Sequence, residues 1–399
     1  MNPAMTQGET SLMLTSRDRI LTTHVGSLPR NEVITDLLVR REAGEAIDPR
    51  QMSDELDRAV AEVVKHQVES GIDVGNDGEQ QRVAFQTYMA ARMSGYGGVS
   101  KRRLAKDLAE HPDLFATFGR RFPQGSKQRN APQAIGEVKY IDLQPIKDEI
   151  ARFKRLAGDS FAELFMTAPS PGIVATTLLN AHYDSHEAYL AVLTKEIRKE
   201  YLAIHEAGLI LQVDAPDLAM ERVMMFQDET DDRFVKACEM HLAAINEATQ
   251  GIPRDRWRLH VCWGNYEGAH EHDIALAKIL PVLYGANTAA LTIEFGNPRH
   301  QHEYAAFKQH PFPKDMILIP GVIESTSNIV EHPEVVARRI GEAVAAVGDR
   351  ERVIASTDCG FGTFAGREWV APSVVWAKLK AMREGADLAS QRLWGKKVA

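Results

Sequence analysis

The chain has 399 residues, of which 44% are hydrophobic, 7% aromatic and 26% charged, the balance of a globular protein with one large domain or two ordinary ones. A net charge of −8 advertises no basic face for nucleic acid or anionic lipid, and the apolar runs are far shorter than the ~20 residues a membrane span needs. Three cysteines, Cys238, Cys262 and Cys359, are too few for a disulfide framework. The first sixteen residues lack the apolar core of a signal peptide, so a cytoplasmic protein with a flexible tail over 1–18 is expected.

Eight apolar, mostly β-branched runs follow in chain order, at 20–25, 72–74, 163–166, 209–213, 258–261, 290–293, 316–319 and 352–355. Helical spacing fills the gaps. In 53–70, Leu56, Val60, Val63, Val64 and Val68 form one stripe, with Ser53 as the expected N-cap and Gly71 as the stop. The stretches 183–208, 231–249, 273–285 and 333–347 repeat the theme. Eight strand–helix alternations predict an α/β fold, a (β/α)8 TIM barrel forming one catalytic domain over 19–399. A doubly wound sheet would want a Gly-rich phosphate turn after the first strand, and none is there. The connection 80–159 is far longer than an ordinary βα link, and is expected to be an insertion serving as a lid or an oligomer contact.

Barrel enzymes keep their chemistry at the C-terminal ends of the strands. Here those ends read His24-Val-Gly-Ser27, Asn76-Asp-Gly-Glu79, Thr167-Ala-Pro-Ser170, Asp214-Ala-Pro-Asp217, His260-Val-Cys262, Glu294, Glu324-Ser-Thr326 and Asp358-Cys359. His260 and Cys262 alternate on one strand and so share a side. Glu294 ends the next strand and Cys359 the last, and a closed barrel brings all four to one mouth. Taken singly, each of these reads as a buried thiol or a satisfied histidine. As a set they form a sulfur–nitrogen donor group with one carboxylate, which suits zinc, one ion per chain.

Several motifs carry a family resemblance. Thr22-Thr-His-Val-Gly-Ser-Leu-Pro29, Asp77-Gly-Glu79, Gln212-Val-Asp214, His260-Val-Cys262, Glu294-Phe-Gly296, Gly321-Val322 and Asp358-Cys-Gly360 resemble the catalytic barrel of the cobalamin-independent methionine synthases, in a single-barrel form. The resemblance implies zinc held by His260, Cys262, Glu294 and Cys359, with a small-molecule thiol activated as its thiolate and methylated by in-line displacement. It implies that Glu79 and Asp214 hold the amino group of homocysteine and that Ser27 contacts its carboxylate. Read without it, Glu79 is a surface acid after a turn and Asp214 a helix cap. The donor side departs from the pattern: Thr326 stands where the family has a histidine, and Ala168-Pro-Ser-Pro-Gly172 differs from the usual third-strand end. The donor, whether folate, corrinoid protein or another alkyl donor, is left open, as is a homo-oligomeric state.

Three further groups stand out. His270-Glu-His272-Asp273 reads as a solvated helix start, with a second metal site as the alternative. On the loop after Glu294, His302 is the better candidate to touch substrate, and Cys238 reads as structural. Competing functions are alkyl transfer to another thiol such as coenzyme M, a metal-independent lyase like uroporphyrinogen decarboxylase, and a metal-stabilised binding protein.

Overall fold

The computed structural model describes residues 13–121 and 131–395. Eight parallel strands form one sheet: β1 Leu21–Thr22, β2 Val74–Gly75, β3 Glu163–Pro169, β4 Ile210–Asp214, β5 Trp257–Val261, β6 Ala290–Ile293, β7 Ile317–Ile323 and β8 Ile354–Thr357. Their spatial order is β1-β8-β7-β6-β5-β4-β3-β2. The seam between β1 and β2 is closed by the Asp73 N–H donating to Thr22 O at 3.0 Å and by Thr23 Oγ1 donating to Val74 O at 2.8 Å. The expected TIM barrel is therefore the fold. The register pairs Asp214 with His260 and His260 with Thr292, which puts the ends of β4, β5 and β6 level at one mouth.

Alternation along each strand decides what the barrel holds. Near the base, Phe165, Ile210, Ala290, Ile317 and Ile354 pack together with Met13. Above them the buried Arg258 lies over the Phe165 ring, 3.9 Å from its centroid, and donates to Gln212 Oε1 (2.7 Å), Thr23 Oγ1 (3.2 Å) and His24 O (3.1 Å). This polar layer fills the barrel beneath the mouth. Outside, the helices bury their stripes against the sheet; His186–Glu206, for example, seats Leu193, Ile197, Tyr201 and Ile204 in the main core.

Several boundaries moved. The helix expected from Ser53 starts a turn earlier, at Pro49, because Asp48 accepts the Arg50 N–H and proline is pre-shaped for a first turn. The helix expected from Asp273 starts at Leu276, because Asp273 is turned inward by two histidines. The flexible tail expected over 1–18 lies outside the described residues up to residue 12. Beyond that it is held: Met13 is buried in the barrel base and Ser16 bonds Glu351 O and Val353 O.

Between β2 and β3, the helix Gln144–Ala157 takes its ordinary place in the ring beside Pro49–Glu69. The departure from the repeat is thus confined to 80–143. It holds the short antiparallel pair Tyr96–Gly97 with Gln133–Ala134 and the helices Lys106–Glu110 and Pro112–Arg121. Among the described residues no helix is long and apolar enough to cross a membrane.

Candidate metal centre and adjoining pocket

His260 is the inward residue near the end of β5, and Cys262 follows with the same orientation. Both are buried, as are Glu294 just past β6 and Cys359 just past β8. The ligating atoms of His260, Cys262 and Cys359 all lie within 4.8 Å of one another. Cys359 Sγ is 3.9 Å from His260 Nε2 and 3.2 Å from Glu294 Oε1. The four residues picked out along the sequence therefore meet in space.

The turn after β8 is shaped for this meeting. Asp358 accepts the Phe295 and Gly296 N–H groups on Oδ1, at 3.1 and 2.7 Å, which ties the Glu294 loop to the Cys359 loop. Asn297 Nδ2 donates both to Glu294 Oε2 (3.2 Å) and to Asp358 Oδ2 (3.1 Å). A Cβ on Gly321 would come within 2.1 Å of Asp358 Oδ1, so glycine is required for the carboxylate to seat. Along the sequence Asp358 is legible as a polar strand end and within the Asp358-Cys-Gly360 motif, while Asn297 gives no signal.

Electrostatically the group is frustrated on its own. Burial and the neighbouring Cys262 and Asp358 hold the Glu294 carboxyl well above its usual range. A hydrogen bond with Cys262, then burial, pushes the Cys359 thiol far up, and burial pushes the His260 imidazole down. Two thiols, an imidazole and a carboxylate crowded together are the chemistry of a dication site. The donor set fits zinc.

Next to this group opens a cavity of about 850 Å³, lined by His260, Cys262 and Cys359 and also by Ser27, Glu79 and Asp214. Glu79 sits in a left-handed turn, φ 54°, behind Gly78. Its Oε1 accepts from Thr167 Oγ1 at 2.8 Å, while the buried Oε2 has no hydrogen-bond partner among the described residues. Arg82 braces this arm by donating to Thr167 O and Oγ1 (2.8 and 3.1 Å) and pairing with the buried Glu149 (3.2 Å). A Cβ on Gly26 would approach both Glu79 Oε1 and Thr167 Cγ2 to 2.7 Å. Asp214 is oriented from below by Gln212 Nε2 at 2.7 Å, and burial lifts its carboxyl to about 7. Ser27 O accepts the Phe361 N–H at 2.7 Å, which joins the first and last loops.

The cavity continues outward between Phe85, Phe115, Phe364, Met220 and Met224, and residues of the 80–143 segment, Ser100 and Arg102 to Ala105 among them, line it. The two donor-side candidates are placed otherwise. Thr326 donates from N and Oγ1 to the Glu324 carboxylate within its own turn and is not a cavity residue. His302 is exposed; the inward histidine of that loop is His300, 3% exposed, because it stacks on Trp263 and bonds Asp273 and Glu303. Cys238 is buried in its helix with Sγ on Leu218 O, a structural placement.

Fold and site together define a TIM-barrel enzyme whose strand ends gather a thiol-rich donor set beside a pocket for a small molecule. The sequence matches the cobalamin-independent synthase catalytic domain over residues 20–105 and 167–387, and the chain belongs to that family, which makes it an enzyme of methyl transfer. It is 23% identical to the uncharacterized protein YxjH of Bacillus subtilis (strain 168), covering 90% of this chain and 91% of that one. It is also 23% identical to the methionine synthase of Thermococcus kodakarensis, over 93% of this chain and 94% of the relative. Among solved structures, the B12-independent methionine synthase from Shewanella sp. W3-18-1, in complex with selenomethionine, shares the fold with a TM-score of 0.70. That match has 19% identity and covers 95% of this chain and 100% of the other.

Proposed function

We propose that this chain is a zinc-dependent thiol S-methyltransferase acting on homocysteine. One observation carries the reading: a sulfur–nitrogen donor set and two buried carboxylates, one with an unpartnered oxygen, face the same cavity. A molecule with a thiol at one end and an ammonium at the other satisfies both. A sulfonate thiol such as coenzyme M would offer Glu79 and Asp214 no cation to pair with.

Zinc held by His260, Cys262, Glu294 and Cys359 would supply the Lewis acidity that keeps a bound thiol deprotonated at neutral pH. Glu79 and Asp214 clamp the ammonium with charge-assisted hydrogen bonds. Ser27, on the turn facing them, receives the substrate carboxylate. Glu294 is the ligand we expect to loosen when substrate arrives, since Asn297 already offers its Oε2 a partner outside the donor set. The described part of the 80–143 segment serves as the outer wall of the donor pocket, which its cavity-lining residues support.

The test is methionine formation from homocysteine with a panel of donors: methyltetrahydrofolate, methylcobalamin and S-methylated small molecules. At least one should support zinc-dependent turnover with homocysteine and not with coenzyme M. Turnover that prefers coenzyme M, or that survives complete metal removal, would refute the assignment.

A further inference from the structure

The 80–143 segment is fastened to the loop that follows Cys262 by a second group of ligating side chains. Glu110 and His111, consecutive at the end of the helix Lys106–Glu110, face Glu271 and His272, consecutive on that loop. The pairing is reciprocal. His111 Nε2 lies 2.6 Å from Glu271 Oε1, and His272 Nε2 lies 2.5 Å from Glu110 Oε2. The coordinating atoms of Glu110, Glu271 and His272 all fall within 4.8 Å of one another, and His111 is in contact with one of them.

From this geometry we propose a second, peripheral divalent-metal site formed by Glu110, His111, Glu271 and His272, which takes zinc or a similar first-row ion and clasps the 80–143 segment over the cavity. Two imidazoles and two carboxylates are a borderline nitrogen–oxygen set, with zinc–ligand distances of about 2.0–2.2 Å. Glu110, Glu271 and His272 are grouped closely enough to share an ion, and His111 would join them through its contact with Glu271. The dication would also neutralise the Glu110 and Glu271 carboxylates, whose ligating oxygens lie within 4.8 Å of each other.

The backbone on both sides is already set for it. Asp107, fully buried one turn before Glu110, accepts from Tyr266 Oη at 2.9 Å and from the His270 N–H at 2.9 Å. His270 takes a left-handed conformation, φ 54°, and its ring turns inward to Asp273, so Glu271 and His272 project outward. Arg299 Nη2 holds Glu271 O at 3.1 Å. These contacts fix the spacing of the two Glu-His pairs independently of any ion. With side chains 30–48% exposed, the site exchanges its metal readily, unlike the buried cysteine group.

The experiment is a cobalt titration of the full-length, chelator-stripped protein, read by equilibrium dialysis and absorption together. Two equivalents should bind, one with intense thiolate-to-metal absorption and a weaker one without it. The double variant His111→Ala/His272→Ala should lose only the second equivalent, with an unchanged melting profile in chelator. A wild type that binds only the equivalent with thiolate absorption, or a double variant that still binds the equivalent without it, would overturn the proposal. Because the buried group is read by its thiolate bands, a failure of the zinc–thiol reading shows separately, as absent intensity with the peripheral equivalent intact.

Discussion

Asp358 and Glu294 are joined through a single side chain: the Asn297 amide donates to Oδ2 of one at 3.1 Å and to Oε2 of the other at 3.2 Å. Asp358 also holds the backbone of the Glu294 loop through the N–H groups of Phe295 and Gly296. A donor set drawn from three strands keeps its spacing only if the loops between them are tied, and this is the tie. Asp358→Asn should therefore weaken zinc retention about 10–100-fold, the usual effect of losing a residue that orients metal ligands. Competition with a metallochromic chelator measures it. Unchanged retention would leave Asp358 a purely structural residue.

Glu79 presents one satisfied oxygen and one bare one. Replacing it by Gln removes the charge facing the substrate ammonium while keeping the Thr167 contact within reach. Loss of a charged hydrogen bond costs about 1.5–3 kcal/mol, so KM for homocysteine should rise about 10–100-fold. The maximal rate with saturating thiol should fall much less.

Thr167 acts on that clamp at one remove. Thr167→Val deletes the hydroxyl that fixes Glu79 Oε1 and leaves Arg82 with one fewer acceptor. A smaller rise in KM, about 3–10-fold, is expected because the hydroxyl positions the clamp and does not itself touch the substrate. Thr167→Ser should restore the wild-type value, which separates a lost hydrogen bond from a disturbed strand.

His300 ties stability to pH. Burial alone would depress its imidazole, but hydrogen bonds to Asp273 and Glu303 outweigh that and lift it to about 10. With the folded value above the unfolded one of about 6.5, the contribution is complete below pH ~6.5 and disappears as pH rises through the folded value. His300→Gln should thus be destabilising by about 1–3 kcal/mol at pH 6, and the gap to wild type should narrow toward pH 10. Urea melts of both proteins across that range check the sign; a gap that widens with pH contradicts it.

The barrel and its four-residue donor group were legible because each strand carries a local signal, an apolar run closing on a polar residue, and closure does the rest. His260, Cys262, Glu294 and Cys359 needed only the topology to meet. What stayed hidden depends on contacts that have no period. The Asn297 bridge, the Thr167–Arg82 brace and the choice of His300 over His302 as the inward histidine are set by packing across loops. The clasp between Glu110-His111 and Glu271-His272 joins segments 160 residues apart, and His270-Glu-His272-Asp273 read alone favours a solvated helix start over a second metal site. Residues 13–18 departed from expectation for a different reason: polar composition suggested a free tail, but Met13 packs into the barrel base.

The most direct test of zinc-centred thiol activation is X-ray absorption at the zinc edge, with and without homocysteine. Two sulfur neighbours are expected in the resting enzyme, from Cys262 and Cys359, and three once homocysteine binds, with an oxygen neighbour lost as Glu294 loosens. An unchanged sulfur count in protein saturated with homocysteine would contradict the account.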